Sequence, residues 1–351
     1  MSFTSDLIAW YEENKRDLPF RGIRDPYLIW VSEVILQQTR MEQGLDYYCR
    51  FIERYHDIRS LASASEEEVL KTWQGMGYYS RARNMHESAR QIVTSMGGLF
   101  PETFEQILKL KGVGDYSAAS IASLAFGECR AAIDGNVYRF MARHFGIREE
   151  TGSSAGKRKI KEMAETLMDN DQPGTFNQAM IEFGAMVCTP QNPSCLSCVF
   201  QSSCYAWFHQ LVKEIPAKKR TAKTRNRYLH YLVMTFNSSN GPGVILNKRE
   251  GTDIWKNLYD FPVIEKTEKL SLNKLMNTLE WKAIFDGKKP GDITFSEEFK
   301  HILSHQVIHA TFFHISLNEP PLQFENRIVI EEMNTLPIPK LISKYWEKYF
   351  I

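Results

Sequence analysis

Cys188, Cys195, Cys198 and Cys204 stand at C-x6-C-x2-C-x5-C, and no other feature restricts this chain so tightly. Thiolates that close together can surround a metal ion or an iron–sulfur cluster, and soft sulfur selects these over magnesium or calcium. The alternative is a pair of disulfides, which needs an oxidising compartment. Met1 to Lys15 carries Asp6, Glu12 and Glu13 among its apolar residues, so no secretory h-region is expected there. A bound inorganic centre is therefore the expectation, with zinc and iron–sulfur both open on spacing alone. The two other cysteines, Cys49 and Cys129, are expected to be small buried packing residues.

A chain of 351 residues is long enough for two domains, each with its own core. No apolar run approaches the ~20 residues of a membrane span, and a cytoplasmic (in a bacterium, nucleoid-associated) protein is expected. The net charge of +1 hides an uneven division: residues 1–212 hold 22 Lys/Arg against 26 Asp/Glu, and residues 213–351 hold 21 against 16. A reader of nucleic acid presents a basic face. Any such face must here be local.

The first two-thirds reads as all-α. Asp25-Pro26 caps a run from Tyr27 to Gln38, and Ser65 with Glu66, Glu67 and Glu68 opens Val69 to Trp73. Helices are expected over Phe104–Leu110, Ala118–Phe126, Val137–Phe145 and Lys157–Met168. Residues 213–227, with Lys218, Lys219, Arg220, Lys223, Arg225 and Arg227, read as a basic linker, solvated or touching phosphate. Beyond it, Tyr228–Phe236, Gly243–Asn247 and Ala310–Leu317 carry strand signals, and Leu272–Phe285 reads as one helix. An α/β domain over residues 228–351 follows a helical one over residues 1–212.

Leu110-Lys111-Gly112-Val113-Gly114-Asp115-Tyr116 lies between two helical segments. Two glycines one residue apart allow a tight turn and let backbone N–H groups approach a phosphate, with a helix N-terminus behind them. Alone this is a weak signal. It gains weight from Asp134-Gly135-Asn136-Val137 downstream and from the cysteines after that.

With these motifs the chain resembles the helix-hairpin-helix DNA glycosylases that carry an iron–sulfur cluster, and among them the MutY-type adenine glycosylases. The resemblance covers nearly the whole chain. It rests also on Leu18-Pro19-Phe20-Arg21, Trp30 to Thr39, Gly75-Met76-Gly77-Tyr78-Tyr79-Ser80-Arg81 and Phe176-Asn177-Gln178-Ala179. It implies a [4Fe–4S] cluster on Cys188, Cys195, Cys198 and Cys204 rather than zinc. It also implies a monomer that acts on double-stranded DNA holding adenine opposite 8-oxoguanine or guanine.

Hydrolysis of an N-glycosidic bond asks for a protonated acid near the base and an ionised carboxylate near the sugar. Glu33 fits the acid. On a helix its neighbours Ile29, Trp30 and Leu36 are apolar, which would desolvate the carboxyl and keep its proton. Asp134 fits the second carboxylate and could equally be a helix cap. The resemblance implies that Glu33 protonates adenine N7, that Asp134 stabilises the sugar cation and that Asn136 orients Asp134. Tyr116 stands where bifunctional relatives have the lysine that forms a Schiff base. Base removal without strand cleavage is expected, and Lys111 is read as a phosphate contact.

The adenine pocket is assigned by resemblance to Arg21, Phe20, Leu36 and Gln178, whose amide could pair with adenine N6 and N7. Phe20 stands where the family has tryptophan. Gln38, Thr39, Met76, Tyr78, Gly112 and Gly114 are assigned to the duplex, with Tyr79 in the core. The C-terminal domain resembles a Nudix fold without its acidic metal box, and Leu303-Ser304-His305 matches a Phe-Ser-His loop. Ser304 and His305 are assigned to reading 8-oxoguanine. Two rivals stay on the page: a pyrimidine-directed glycosylase of the same superfamily, and a non-catalytic iron–sulfur DNA binder.

Overall fold

A computed structural model describes residues 2–350 except Arg40, Thr151, 218–223, 239–240, 287–289 and 319–326. Two compact units emerge, residues 1–63 with 84–220 and residues 64–83 with 221–351. The first unit opens with α1 (Phe3–Asn14), α2 (Pro26–Leu36), α3 (Met41–Arg54) and α4 (Ile58–Ser63). Next come α5 (Glu66–Thr72) and α6 (Ser80–Ser95), of which α5 and the start of α6 belong to the second unit. The first unit continues with α7 (Phe104–Ile107), α8 (Asp115–Phe126), α9 (Gly135–Phe145), α10 (Ser154–Leu167), α11 (Pro173–Met186) and the short α12 (Tyr205–Phe208).

The start of α2 follows from local chemistry. The Asp25 carboxylate accepts from the Tyr27 amide at 2.8 Å, and Pro26 occupies the first turn, where its missing N–H costs nothing. Ile29, Trp30, Val31, Val34 and Ile35 are all buried, so α2 is a core helix. A second apolar cluster joins Leu7 and Tyr11 of α1 to Phe140 of α9, Phe176 and Phe183 of α11, and Phe200.

Two helices differ from expectation. Only Phe104–Ile107 is helical in the 104–110 stretch, because Leu108 already caps it and the chain must turn toward Gly112. In contrast α8 begins at Asp115, before Ala118, since extended Gly114 serves as its N-cap. Cys49 and Cys129 are exposed, which corrects the expectation of buried packing. The inward stripe of α3 is Gly44, Tyr48 and Phe51, and Cys49 falls beside it. Cys129 lies in the turn after α8, its Sγ 3.4 Å from Asn170 Oδ1.

The second unit is built on β1 (Arg225–Ser238), β2 (Gly241–Ile245), β3 (Asn247–Lys248), β4 (Tyr259–Asp260) and β5 (Val263–Lys266). After α13 (Leu272–Met276) and α14 (Leu279–Phe285) come β6 (Asp292–Ile302), β7 (Gln306–Leu317), β8 (Arg327–Val329) and α15 (Lys340–Tyr349). The mixed sheet runs β6-β7-β1-β2-β8, with β5 also on β1. Only β1 and β7 pair in parallel among these described strands, Tyr228 standing opposite His309. The stretch 272–285 is two helices, not one, because the Thr278 hydroxyl accepts from the Trp281 amide and starts a new one. Leu232, Met234, Trp281, Phe285, Phe313 and Ile315 fill one side.

Arg225 and Arg227, read from sequence as linker, begin β1. Arg227 is buried and paired with Asp253 at 2.9 Å and Glu265 at 2.7 Å, because antiparallel β5 brings Glu265 alongside. Lys218, Lys219, Arg220 and Lys223 lie outside the described residues. Residues 64–83 join this unit through specific bonds. Tyr79 donates to the Ile338 carbonyl at 3.2 Å, Lys71 to the Leu336 carbonyl at 3.0 Å, and Tyr259 to Glu67 at 3.0 Å. No helix among the described residues is long and apolar enough to cross a membrane.

Candidate active site

Glu33, Leu36, Gln38, Gly112, Gly114, Tyr116 and Asp134 line one cleft of about 590 Å³ in the first unit. Residues a hundred positions apart thus meet because α2 packs against α8, and the hairpin glycines precede α8 directly. Gly112 has φ 79°, and a Cβ there would stand 2.7 Å from Asn84 Cβ, so only glycine closes this turn without strain. Gln38 is held at φ 56°, a left-handed conformation rare outside glycine and concentrated at functional sites.

The Ser120 hydroxyl donates to Glu33 Oε1 at 2.6 Å, and the Tyr116 hydroxyl, one helical turn earlier, donates to the same carboxyl. Burial pushes the Glu33 carboxyl above its ordinary range, and the Asp134 charge pushes the same way. The two hydroxyls and the Arg21 cation oppose this without reversing it. Burial beside these carboxylates lifts the Tyr116 phenol well above its ordinary value, so it stays a donor.

Asp134 is the N-cap of α9. Its carboxylate accepts from the Asn136 and Val137 amides, both at 2.8 Å, and from Asn136 Nδ2 at 2.7 Å. Burial raises this carboxyl too, but three N–H donors at a helix N-terminus favour the anion. Asn136 is itself held, its Oδ1 accepting from Arg139 at 2.9 Å. Gly184 lets α11 press against this turn, since a Cβ there would lie 2.5 Å from the Asn136 carbonyl oxygen. Two carboxyls share the cleft in unlike surroundings. Burial raises the proton affinity of both; one is met by two hydroxyl donors, the other by three N–H donors at a helix N-terminus.

Arg21, Phe20 and Gln178 do not line this cleft. Arg21 donates to the fully buried Glu182 at 2.6 Å, and Gln178 accepts from Tyr11 Oη at 2.8 Å. Phe20 packs edge-on to Tyr48, with ring centres 5.6 Å apart. The Thr39 hydroxyl donates to the Gln37 carbonyl at 3.3 Å and its amide to the Leu36 carbonyl at 3.4 Å. Lys111, read as a phosphate contact, pairs with Glu87 at 2.5 Å.

In the second unit Met76 is buried, Tyr79 is in the core, and Tyr78 is 44% exposed at φ 45° with the Arg81 guanidinium 5.2 Å from its ring centre. Tyr78 Oη lies 3.4 Å from Ser304 Oγ, which lies 3.3 Å from His305 Nδ1. Three assigned residues therefore stand together, although Tyr78 and Ser304 are far apart in sequence.

Cys188, Cys195, Cys198 and Cys204 are free thiols that line one cavity with Arg143, His144 and Phe183. No three His, Cys, Asp or Glu groups among the described residues converge on a single-ion site. Four soft sulfur donors around one cavity are a donor set that fits zinc or an iron–sulfur cluster. Arg143 donates to Cys188 Sγ at 3.5 Å and to the Thr189 carbonyl at 2.7 Å, tying the first ligand loop to α9.

Ser120, Tyr11, Arg16 and Glu182 escaped the sequence reading. Helical spacing held the signal: Ser120 is four residues after Tyr116, and Glu182 four after Gln178.

Two family models match the chain: the HhH-GPD superfamily of base excision DNA repair proteins over residues 31–167, and a NUDIX domain over residues 233–348. The adenine DNA glycosylase of Mus musculus is 44% identical over 215 residues, which is 59% of this chain and 42% of that protein. The chain thus spans about two-fifths of the length of that relative. The adenine DNA glycosylase of Buchnera aphidicola subsp. Acyrthosiphon pisum (strain APS) is 30% identical over 304 residues, 86% of this chain and 84% of that one. A solved thermostable thymine-DNA glycosylase superposes with a TM-score of 0.54 at 29% identity, covering 59% of this chain and 95% of its own.

Proposed function

The chain belongs to the adenine DNA glycosylase family, and from that premise we propose that it excises adenine paired with 8-oxoguanine or guanine in duplex DNA. The observation that carries the reading is the pair Glu33 and Asp134 in one cleft, one met by hydroxyl donors and the other by helix-cap N–H donors. Adenine turned out of the stack meets Glu33, which delivers its proton to N7. The C1′–N9 bond then breaks with its electron pair leaving on the neutral base. Asp134 faces the cationic sugar, held ionised by the α9 amides and Asn136. Water adds to C1′ and gives its proton to the Glu33 carboxylate, which leaves an abasic site. Tyr116 has no amine, so no Schiff base forms and the strand stays intact.

Gly112 and Gly114, with the α8 N-terminus that has no side-chain cap, suit a backbone phosphate. Gln178 and Arg21 contact the extruded adenine once the cleft opens around it. Tyr78, Ser304 and His305 face the opposite base, which distinguishes 8-oxoguanine from guanine. The four cysteines hold a [4Fe–4S] cluster, whose bonds tie the 188–204 loops together. Arg143 orients that loop through Cys188 and Thr189.

The test is a duplex with one adenine opposite 8-oxoguanine, incubated with the protein and then heated in alkali. A strand break that needs alkali is the expected result. A break before alkali points to a lyase, and no break under either condition leaves the non-catalytic binder.

A further inference from the structure

Glu182 takes no part in the chemistry above, yet it is a fully buried carboxylate bonded to Arg21, one of the proposed adenine contacts. It lies one turn after Gln178 on α11, on the same helix face. Its oxygens accept from Arg16 Nε at 2.6 Å, Arg16 Nη2 at 2.8 Å, the Arg16 amide at 3.2 Å and Arg21 Nη2 at 2.6 Å. Burial pushes its carboxyl up, but the two guanidiniums outweigh this and hold it below the ordinary range. Buried ion pairs are weak evidence for stability, so the question is what this one positions. Arg21 has a further N–H, at Nε, that is buried without a partner.

We propose that Glu182 is a positioning residue that fixes the Arg21 guanidinium and offsets part of its charge near the Glu33 acid. Glu33 is faced by Tyr116 and Ser120 from α8, by Asp134 from the cap of α9 and by Arg21 from the segment before α2. Arg21 is the cation of that set. Left unpaired, it would favour the Glu33 carboxylate and drain the acid form that base departure needs. Glu182 weakens that pull while leaving the guanidinium in place as a donor. The proposal rests on the glycosylase reading and deepens it.

Single-turnover adenine release from the 8-oxoguanine duplex, followed against pH with the full chain, tests it. The alkaline limb of the profile reports loss of the Glu33 proton. Glu182→Gln should move that limb down by about half a pH unit and slow release about threefold at pH above the limb. Glu182→Asp keeps the charge and should leave the limb where the unmodified protein has it. Arg21→Gln leaves the Arg16–Glu182 pair intact and should move the limb upward. A uniform fall in rate with an unmoved limb in Glu182→Gln overturns the proposal. Should that variant fail to fold by circular dichroism, an Arg21→Gln limb that stays put or moves down overturns it instead. If the unmodified protein releases no adenine, the glycosylase reading falls and this inference with it; turnover with an unmoved limb defeats the inference alone.

Discussion

Glu33 and Asp134 are bound at 2.6–2.8 Å by neighbours from α8 and α9, whereas Ser304 and His305 stand exposed on the turn between β6 and β7, with polar contacts of 3.3–3.4 Å. The first region is assembled before any ligand arrives. The second holds its groups by longer contacts in solvent. This contrast fits the two tasks proposed for them. A bond-breaking site gains from dipoles that need no reorganisation at the moment of reaction. A site that compares an oxidised with an ordinary guanine needs only a small difference of affinities.

The largest expected effect tests the rigid side. Glu33→Gln should slow adenine release about 10²–10⁴-fold while duplex binding persists in a gel-shift assay. Near-normal release would take the acid role from Glu33. The same variant carries a stability signature. A carboxyl with a raised folded-state value binds its proton more tightly folded than unfolded. Stability therefore falls as pH climbs from the ordinary Glu value to the folded one, and the loss persists above it. Glu33→Gln should thus melt higher than the unmodified protein at pH 7 and lose that advantage near pH 4. An equal Tm difference at both pH values would contradict the burial argument.

Asp134→Asn comes next, with an expected loss of about 10²–10³-fold in release. Its urea unfolding should change little, because an asparagine oxygen can accept the same two amides of α9. Ser120→Ala removes one donor from Glu33 and should change the rate only a few-fold. Its alkaline limb should move up, since that hydroxyl favours the carboxylate. The smallest effect tests the exposed side. Ser304→Ala with His305→Ala should reduce the preference for 8-oxoguanine over guanine by roughly a factor of five to thirty, at ~1 kcal/mol per hydrogen bond. Unchanged preference would mean that the opposite base is read elsewhere.

The parts legible in sequence were those with a local cause. Asp25-Pro26 and Ser65 announce α2 and α5, and Asp134 is a cap, as its position before Val137 suggests, that also lines the cleft. What stayed hidden depends on long-range pairing. Glu182 is one polar residue on an apolar helix until α11 meets Arg16 and Arg21, more than 160 positions earlier. Arg227 looks like a linker cation until β5 lies beside β1. The exposed Cys49 and the split at Thr278 show the opposite error, in which a general tendency was trusted where one turn of helix decided.

Because residues 64–83 pack as part of the second unit, a clone starting at β1 would not encode a finished body. Its C-terminal segment would lose the Tyr79, Lys71 and Gln74 partners that occupy the carbonyls of Leu336 and Ile338 and the amide of Ile338. Dissection of this protein by truncation therefore calls for grafting residues 64–83 back onto the fragment. A shortened product that aggregates would reflect that missing piece rather than any fault in the sheet.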